Sequence, residues 1–209
     1  MFTGIVQTCT AIRHFEKKEG LITFGIELNG ELAAGLSLGA SIAINGICLT
    51  VTAFEYFNNK QAAMISFDMM QQTLDVTNAY SFSEGAMVNV ERSVKAMQEI
   101  GGHIVSGHVD SQANITAIEH SENNCRIRFQ FDREYAKYLL DKGFVGLNGC
   151  SLTIAAVSSE EAWLEVCFIP ETLRATTFGQ LTVGDKVNLE VDRHTQAIVD
   201  TVERVLAQQ

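Results

Sequence analysis

Residues 45–51 read NGICLTV and residues 148–154 read NGCSLTI, the same phrase 103 positions apart. Asn-Gly between alternating apolar residues marks a two-residue hairpin, because both turn positions take positive φ. The offset of 103 also aligns Thr3-Gly4-Ile5-Val6 with Ser106-Gly107-His108-Val109, Glu31 with Glu134, and Leu36 with Leu139. Further on the offset is 99. Thr73-Leu74 then meets Thr172-Leu173, and Gly85, Val88, Asn89 and Glu91 meet Gly184, Val187, Asn188 and Glu190. The change of four residues falls in loops after the hairpins, where length varies at little cost. Ordered matches along a whole half indicate a duplicated domain, with its junction near Gly101-Gly102.

Each half is strand-rich. Leu21–Leu28 carries β-formers, 41–53 and 144–157 read as hairpins, and 62–70 and 162–169 are apolar and extended. Val88–Val90 and Val187–Val191 close the halves, and only Glu31–Leu36 and Glu134–Leu140 look helical inside them. Pro170 is the single proline and suits a strand end at a barrel mouth. The pattern predicts an all-β chain. It has two tandem homologous six-stranded Greek-key barrels, 1–102 and 103–194, and a C-terminal helix over 195–209. Ile198, Val202 and Val205 fall on one stripe of that helix, and Thr195 is placed to cap it. The stripe suits either its own barrel or a seam between subunits.

Charge excludes some functions. A formal charge of -10 repels phosphate backbones and disfavours nucleic-acid binding. Leu32–Phe54 lacks charge and is long enough to span a bilayer, but its glycines and the Asn45-Gly46 turn favour buried strands over a membrane helix. The five cysteines have no metal-ligand spacing and read as reduced thiols, and no signal peptide is evident. No GxSxG, Walker or HExxH motif and no dinucleotide fingerprint is present. Neither a metal nor a cofactor is expected.

The chemistry-bearing residues recur with the repeat. Cys48 and Ser151 are equivalent, each just after a turn, with Thr50 and Thr153 two residues on and so on the same strand face. Core packing is the plain alternative for a lone Cys or Thr, but recurrence suggests two pockets for a flat heterocycle. Met69, Met70, Phe168 and Ile169 supply apolar surface nearby, as core or as pocket lining. His103 and His108 lie five apart, on opposite faces of any strand, and each admits a structural role.

The ordered set MFTGIVQ, NGICLTV, GGHIVSGHVD, KGFVGLNGCSLTI, IPETLRATT and TQAIVDTVERVL resembles riboflavin synthase over nearly the whole chain. That resemblance implies a cytoplasmic, cofactor-free transferase acting on 6,7-dimethyl-8-ribityllumazine, one molecule per barrel. It implies a homotrimer in which the N-terminal barrel of one subunit faces a neighbour's C-terminal barrel, with the C-terminal helices at the axis. Association with lumazine synthase belongs to the same expectations. Position by position, it assigns the first pocket Gly4, Ile5, Val6, Cys48, Leu49, Thr50 and the run Asp68, Met69, Met70, Gln71, Gln72, Thr73, and it adds Ser41 as a substrate-binding position. The second receives Gly107, His108, Val109, Lys142, Ser151, Leu152, Thr153 and the run Cys167, Phe168, Ile169, Pro170, Glu171, Thr172.

The catalytic set expected is His108, Ser151, Cys48, Asp192 and Phe2. His108 and Ser151 would move protons or activate a nucleophile. Cys48 would contact the partner lumazine, Phe2 would cover the heterocycles, and Asp192 would move a proton or hold geometry. Asn148 stands where the family often has Asp, and Ile47 where some members have a second Cys. A turn role survives at Asn148, but a role needing charge does not. The rivals are a non-catalytic lumazine- or flavin-binding antenna protein and, more remotely, a flavin-reductase barrel.

Overall fold

A computed structural model describes residues 1–122 and 124–208. The first half holds β1 (Thr8–Lys18), β2 (Leu21–Asn29), α1 (Gly30–Ala33), β3 (Ser41–Ile44), β4 (Ile47–Phe57), β5 (Ala62–Met70), α2 (Gln71–Val76) and β6 (Met87–Arg92). Its strands close in the order β1-β2-β5-β4-β3-β6. β3, β4 and β5 form a meander and β6 returns beside β3, which is a Greek key. Closure leaves no strand edge to recruit another chain.

The second half holds β7 (Ser111–His120), β8 (Cys125–Gln130), β9 (Phe144–Leu147), β10 (Cys150–Thr153), β11 (Ala156–Ser158), β12 (Trp163–Phe168), α3 (Pro170–Ala175) and β13 (Lys186–Val191), and α4 (Arg193–Leu206) follows. Here seven strands stand where six were expected, in the order β10-β9-β13-β7-β8-β12-β11. The extra one has a local cause. β10 and β11 together correspond to β4, which carries a bulge between Val51 and Ala53; at the matching place, Ile154-Ala155, the strand breaks. Ala155 N–H still donates to the Glu165 carbonyl at 2.8 Å, so the broken strand follows its neighbour β12.

Alternation sends one face of each strand inward. Phe24, Phe67 and Phe82 meet in the first core, and Phe129, Phe168 and Phe178 meet in the second. Each full burial of such a side chain stabilises by about 1.5–3 kcal/mol. The uncharged stretch Leu32–Phe54 folds as part of α1, a loop, β3 and β4, and among the described residues no helix is long and apolar enough to cross a membrane. All five cysteines are free thiols.

Four expectations change. The segment over Glu31–Leu36 forms only the single turn of α1, and Arg133–Tyr138 is a 3-10 helix. Pro170 opens α3 rather than ending a strand, since the first helical position needs no N–H. Asp192, not Thr195, caps α4: its carboxylate accepts from His194 N–H and Thr195 N–H, so the helix starts two residues before Thr195. Thr195 instead donates its hydroxyl to Asp192 at 2.8 Å. The helix docks on its own barrel through Val199 and a Tyr138–Asp200 hydrogen bond. Ile198, Val202, Val205 and Leu206 remain 52–65% exposed on its outer side.

Buried asparagines join the halves, among them Asn45, Asn89, Asn148 and Asn188. Asn45 and Asn148 sit in the left-handed region, at φ 46° and 44°. Each Oδ1 accepts a backbone N–H of its own barrel, from Asn89 and Asn188, at 2.8 Å. The amides of those two residues then cross over: Asn89 Nδ2 donates to the Asn148 carbonyl at 2.9 Å, and Asn188 Nδ2 to the Asn45 carbonyl at 2.8 Å. Asn148 Oδ1 thus acts as an acceptor at a left-handed turn, a role that needs no charge.

Candidate active site

The leading turns of the halves are exchanged. Gly4, which opens the first half, lies on the second barrel: its carbonyl accepts Ser151 N–H at 2.8 Å, and a Cβ there would stand 2.5 Å from Ser151 Cβ. Gly107 does the converse. Its carbonyl accepts Cys48 N–H at 2.8 Å, and a Cβ would stand 2.6 Å from Cys48 Cβ. Val6 packs on the second core and Val109 on the first. Both glycines have positive φ, 73° and 82°, and both lack the room for a side chain. Only glycine takes such a conformation without steric cost. The expected grouping is corrected accordingly: Gly4, Ile5 and Val6 belong with Ser151, and Gly107, His108 and Val109 belong with Cys48.

Around Ser151 a polar pair is assembled. Ser151 Oγ lies 2.6 Å from His103 Nδ1 and accepts the His103 backbone N–H at 3.2 Å. The hydroxyl serves either tautomer of the ring: Oγ donates to a bare Nδ1 or accepts from a protonated one. The ring's Nε2 is buried and has no partner among the described residues. His103 stacks on Phe144, with ring centroids 5.1 Å apart and planes 13° apart. Burial pushes its pKa below the usual imidazole value, against the pull of the Asp192 carboxylate. A neutral imidazole on a serine hydroxyl is the arrangement of a base and its nucleophile.

His108 is not part of that pair. It is exposed on the segment that crosses to Cys48, and its carbonyl accepts from Arg193. The pairing of His108 with Ser151 is thus corrected: His103, five residues earlier, holds that place. Phe2 is also re-placed. It is 1% exposed, packed with Ala43, Val105 and Cys48 and joined to Val105 by two backbone hydrogen bonds. It fills the space behind Cys48 rather than presenting a free ring for stacking.

Asp192 is held by its cap bonds. Burial alone would raise its pKa, but the hydrogen bonds from Thr195 and His194, with the nearby His103, bring it below the usual carboxylate value. Both oxygens are engaged, which suits holding α4 and the His103 field in place.

The remaining expected residues divide by face. Thr50, Asp68 and Met70 are exposed, Cys48 and Ser41 are half-buried, and Asp68 accepts from Thr23 Oγ1 at 2.6 Å. Ser41 pairs with Thr50, as Phe144 pairs with Thr153. On the second barrel Thr153, Cys167 and Ile169 point outward, and Lys142 stands exposed at φ 62°. Leu49, Met69, Leu152 and Phe168 are core side chains, so they offer the outer face backbone only. Gln71, Gln72 and Thr73 form the first turn of α2, and Pro170, Glu171 and Thr172 that of α3.

Two outward faces therefore exist, alike in backbone, one centred on Cys48 and the other on Ser151 with His103. A protein of two such lumazine-binding repeats is the class that the fold and the site define. The lumazine binding domain model matches residues 3–93 and 106–192. The chain is 46% identical to riboflavin synthase of Escherichia coli K12, covering 99% of this chain and 94% of that protein. It is 36% identical to riboflavin synthase of Bacillus subtilis 168, covering 92% and 85%. The chain belongs to the riboflavin synthase family. Its fold also matches LumP complexed with riboflavin, at a TM-score of 0.81 and 22% identity, over 92% of this chain and 100% of that one.

Proposed function

We propose that this chain makes riboflavin by dismutation of two 6,7-dimethyl-8-ribityllumazine molecules. One gives up a four-carbon unit to the other, leaving 5-amino-6-(ribitylamino)pyrimidine-2,4-dione. One observation carries the reading: two matching faces within one chain, only one of which holds a buried base on a hydroxyl. Donor and acceptor are the same compound, so two alike cradles suit them, while the asymmetric pair assigns them different parts.

The C7 methyl of a lumazine is acidic because its carbanion spreads into the electron-poor ring. Neutral His103 can take the Ser151 proton as Oγ adds at C7 of the molecule in that cradle, or relay a proton from the methyl. The molecule beside Cys48 and Thr50 is then the other partner. Positioning two reactants contributes up to about 7–11 kcal/mol to such a step. The assignment of Gly4, Ser41, Asp68, Lys142 and the first turns of α2 and α3 to ligand binding rests on the family resemblance and on their outward placement.

The cradles that meet belong to neighbouring subunits in this reading. The exposed stripe Ile198, Val202 and Val205 supports a homotrimer built on α4. Residues 1–102 and 103–194 act as the two binding units, with 195–209 as the assembly helix. We place the enzyme in the cytoplasm, consistent with its free cysteines. Association with lumazine synthase would shorten the path of the substrate.

The test is incubation with the lumazine alone and identification of products by mass spectrometry. Riboflavin and the pyrimidinedione in equal amounts are expected. Stoichiometric binding without product would overturn the reading in favour of an antenna protein.

A further inference from the structure

Glu91 and Glu190 are buried carboxylates, each 4% exposed, at equivalent places on β6 and β13. Glu91 Oε1 accepts Thr3 N–H at 2.6 Å and Thr3 Oγ1 at 2.7 Å, and Oε2 accepts Gly4 N–H at 3.0 Å. Glu190 repeats the pattern on Ser106 N–H and Oγ, both at 2.7 Å, and on Gly107 N–H at 3.1 Å. The turns so gripped are the two that cross to the other barrel. Thr3-Gly4 carries the carbonyl that receives Ser151 N–H, and the Thr3 carbonyl abuts Gly102, next to His103. Ser106-Gly107 carries the carbonyl that receives Cys48 N–H.

We propose that Glu91 and Glu190 are positioning residues with crossed action: Glu91, on the first barrel, sets the Ser151–His103 site of the second, and Glu190, on the second, sets the Cys48 site of the first. The proposal rests on Ser151 and Cys48 being the two site centres. A buried carboxylate is costly unless its oxygens are satisfied, and these two are satisfied by the leader turns alone or nearly so. On Glu190, Arg193 Nε adds an ion pair at 3.9 Å. A simpler core would omit the charges. Their three-point grip fixes both the height and the tilt of a glycine turn, which a single neutral bond would not do.

Glu91→Gln and Glu190→Gln in the full chain test the idea. A carboxamide keeps the shape but turns an N–H toward one of the gripped N–H donors. Two readouts separate the sites: steady-state kcat and KM on the lumazine, and alkylation of each cysteine followed by peptide mass spectrometry. E190Q should speed alkylation of Cys48 about tenfold or more while Cys125 and Cys150 stay protected. E91Q should leave the Cys48 rate unchanged and lower kcat about tenfold to a hundredfold, with little change in KM. Thr3→Val and Ser106→Ala, which remove one bond of each grip, should show the same crossed pattern at smaller size.

Equal Cys48 reactivity in both glutamate variants overturns the proposal. So does exposure of the buried Cys125 and Cys150 together with Cys48, which marks general loosening, or a pair of folded variants indistinguishable from the parent. The thiol arm needs no turnover. A chain that consumes no lumazine refutes the functional reading, while the Cys48 rates still decide the clamp.

Discussion

Replacing Gly4 by alanine tests the exchange of leading turns directly. The backbone of Gly4 stands at φ 73°. An L side chain in that left-handed region costs about 1–2 kcal/mol. The new Cβ would also lie 2.5 Å from Ser151 Cβ and 2.6 Å from Ser151 N. The leading turn and β10 must therefore part by roughly 1 Å to reach ordinary contact. That displacement overpacks the seam, at about 1–3 kcal/mol. It also breaks the 2.8 Å bond from Ser151 N–H. The contact and the bond fail through one movement, so their costs overlap, and a total of about 2–5 kcal/mol follows. In a chain of this length each kcal/mol lowers Tm by about 2–4 °C, which gives a drop of roughly 4–20 °C. Gly20 supplies the control: it has φ 71° and nothing within 4 Å of the position a Cβ would take. Gly20→Ala should show the backbone cost alone, a Tm loss of about 2–8 °C with activity kept. Gly4→Ala should also lose about a hundredfold in kcat as Ser151 shifts against His103. Differential scanning calorimetry and lumazine turnover on both variants decide it. Equal Tm losses and equal kcat would refute the close crossing of Gly4 onto the second barrel.

Other expectations follow from the same geometry. His103→Ala should reduce kcat by about a hundredfold or more while His108→Ala retains most activity, since a positioned acid–base group contributes on that scale; the reverse ranking would return His108 to the Ser151 site. Burial lowers the His103 pKa, so the unfolded chain takes up the proton first as pH falls. This group's contribution to stability is therefore present above pH 6.5 and is lost as the pH falls from about 6.5 toward the lowered folded value. Urea titrations of parent and His103→Ala from neutral pH into the acid range should converge accordingly, and the acid limb of kcat should lie below 6.5. Ile198→Glu, on the exposed stripe of α4, should leave the Tm of a dilute sample nearly unchanged while lowering the mass seen by analytical ultracentrifugation; an unaltered mass would remove α4 from the assembly.

Much of the architecture was legible because its decisive signals are local. Asn-Gly at 45 and 148 forces positive φ, and the spacing between the two copies sets the size of the repeat. Other elements were masked by irregularities. β1 and β7 each shift register in mid-strand, between Ile12 and His14 and between Ile115 and Ala117, so neither alternates cleanly. Helices of six residues, α2 and α3, are too short to display a period.

The site was half legible for a different reason. Gly4 and Gly107 stand at equivalent places in the repeat, and so do Cys48 and Ser151; a duplicated pattern reads alike whether each turn stays home or crosses. Only distances in space distinguish the two. His103 lies outside the motif pairs that the repeat aligns, which begin at Ser106, so the repeat does not single it out. Its signal was proximity to Gly102, which could be read only once the Thr3 carbonyl was seen against it.

The crossed turns bear on what makes this chain one object. The covalent tether, residues 94–104, joins parts that already grasp each other at both ends and through the asparagines between them. A protease nick in that tether would leave two fragments still bound, each completing the other. Either fragment alone would lack its borrowed glycine, and its ready remedy would be a second copy of itself, arm in arm.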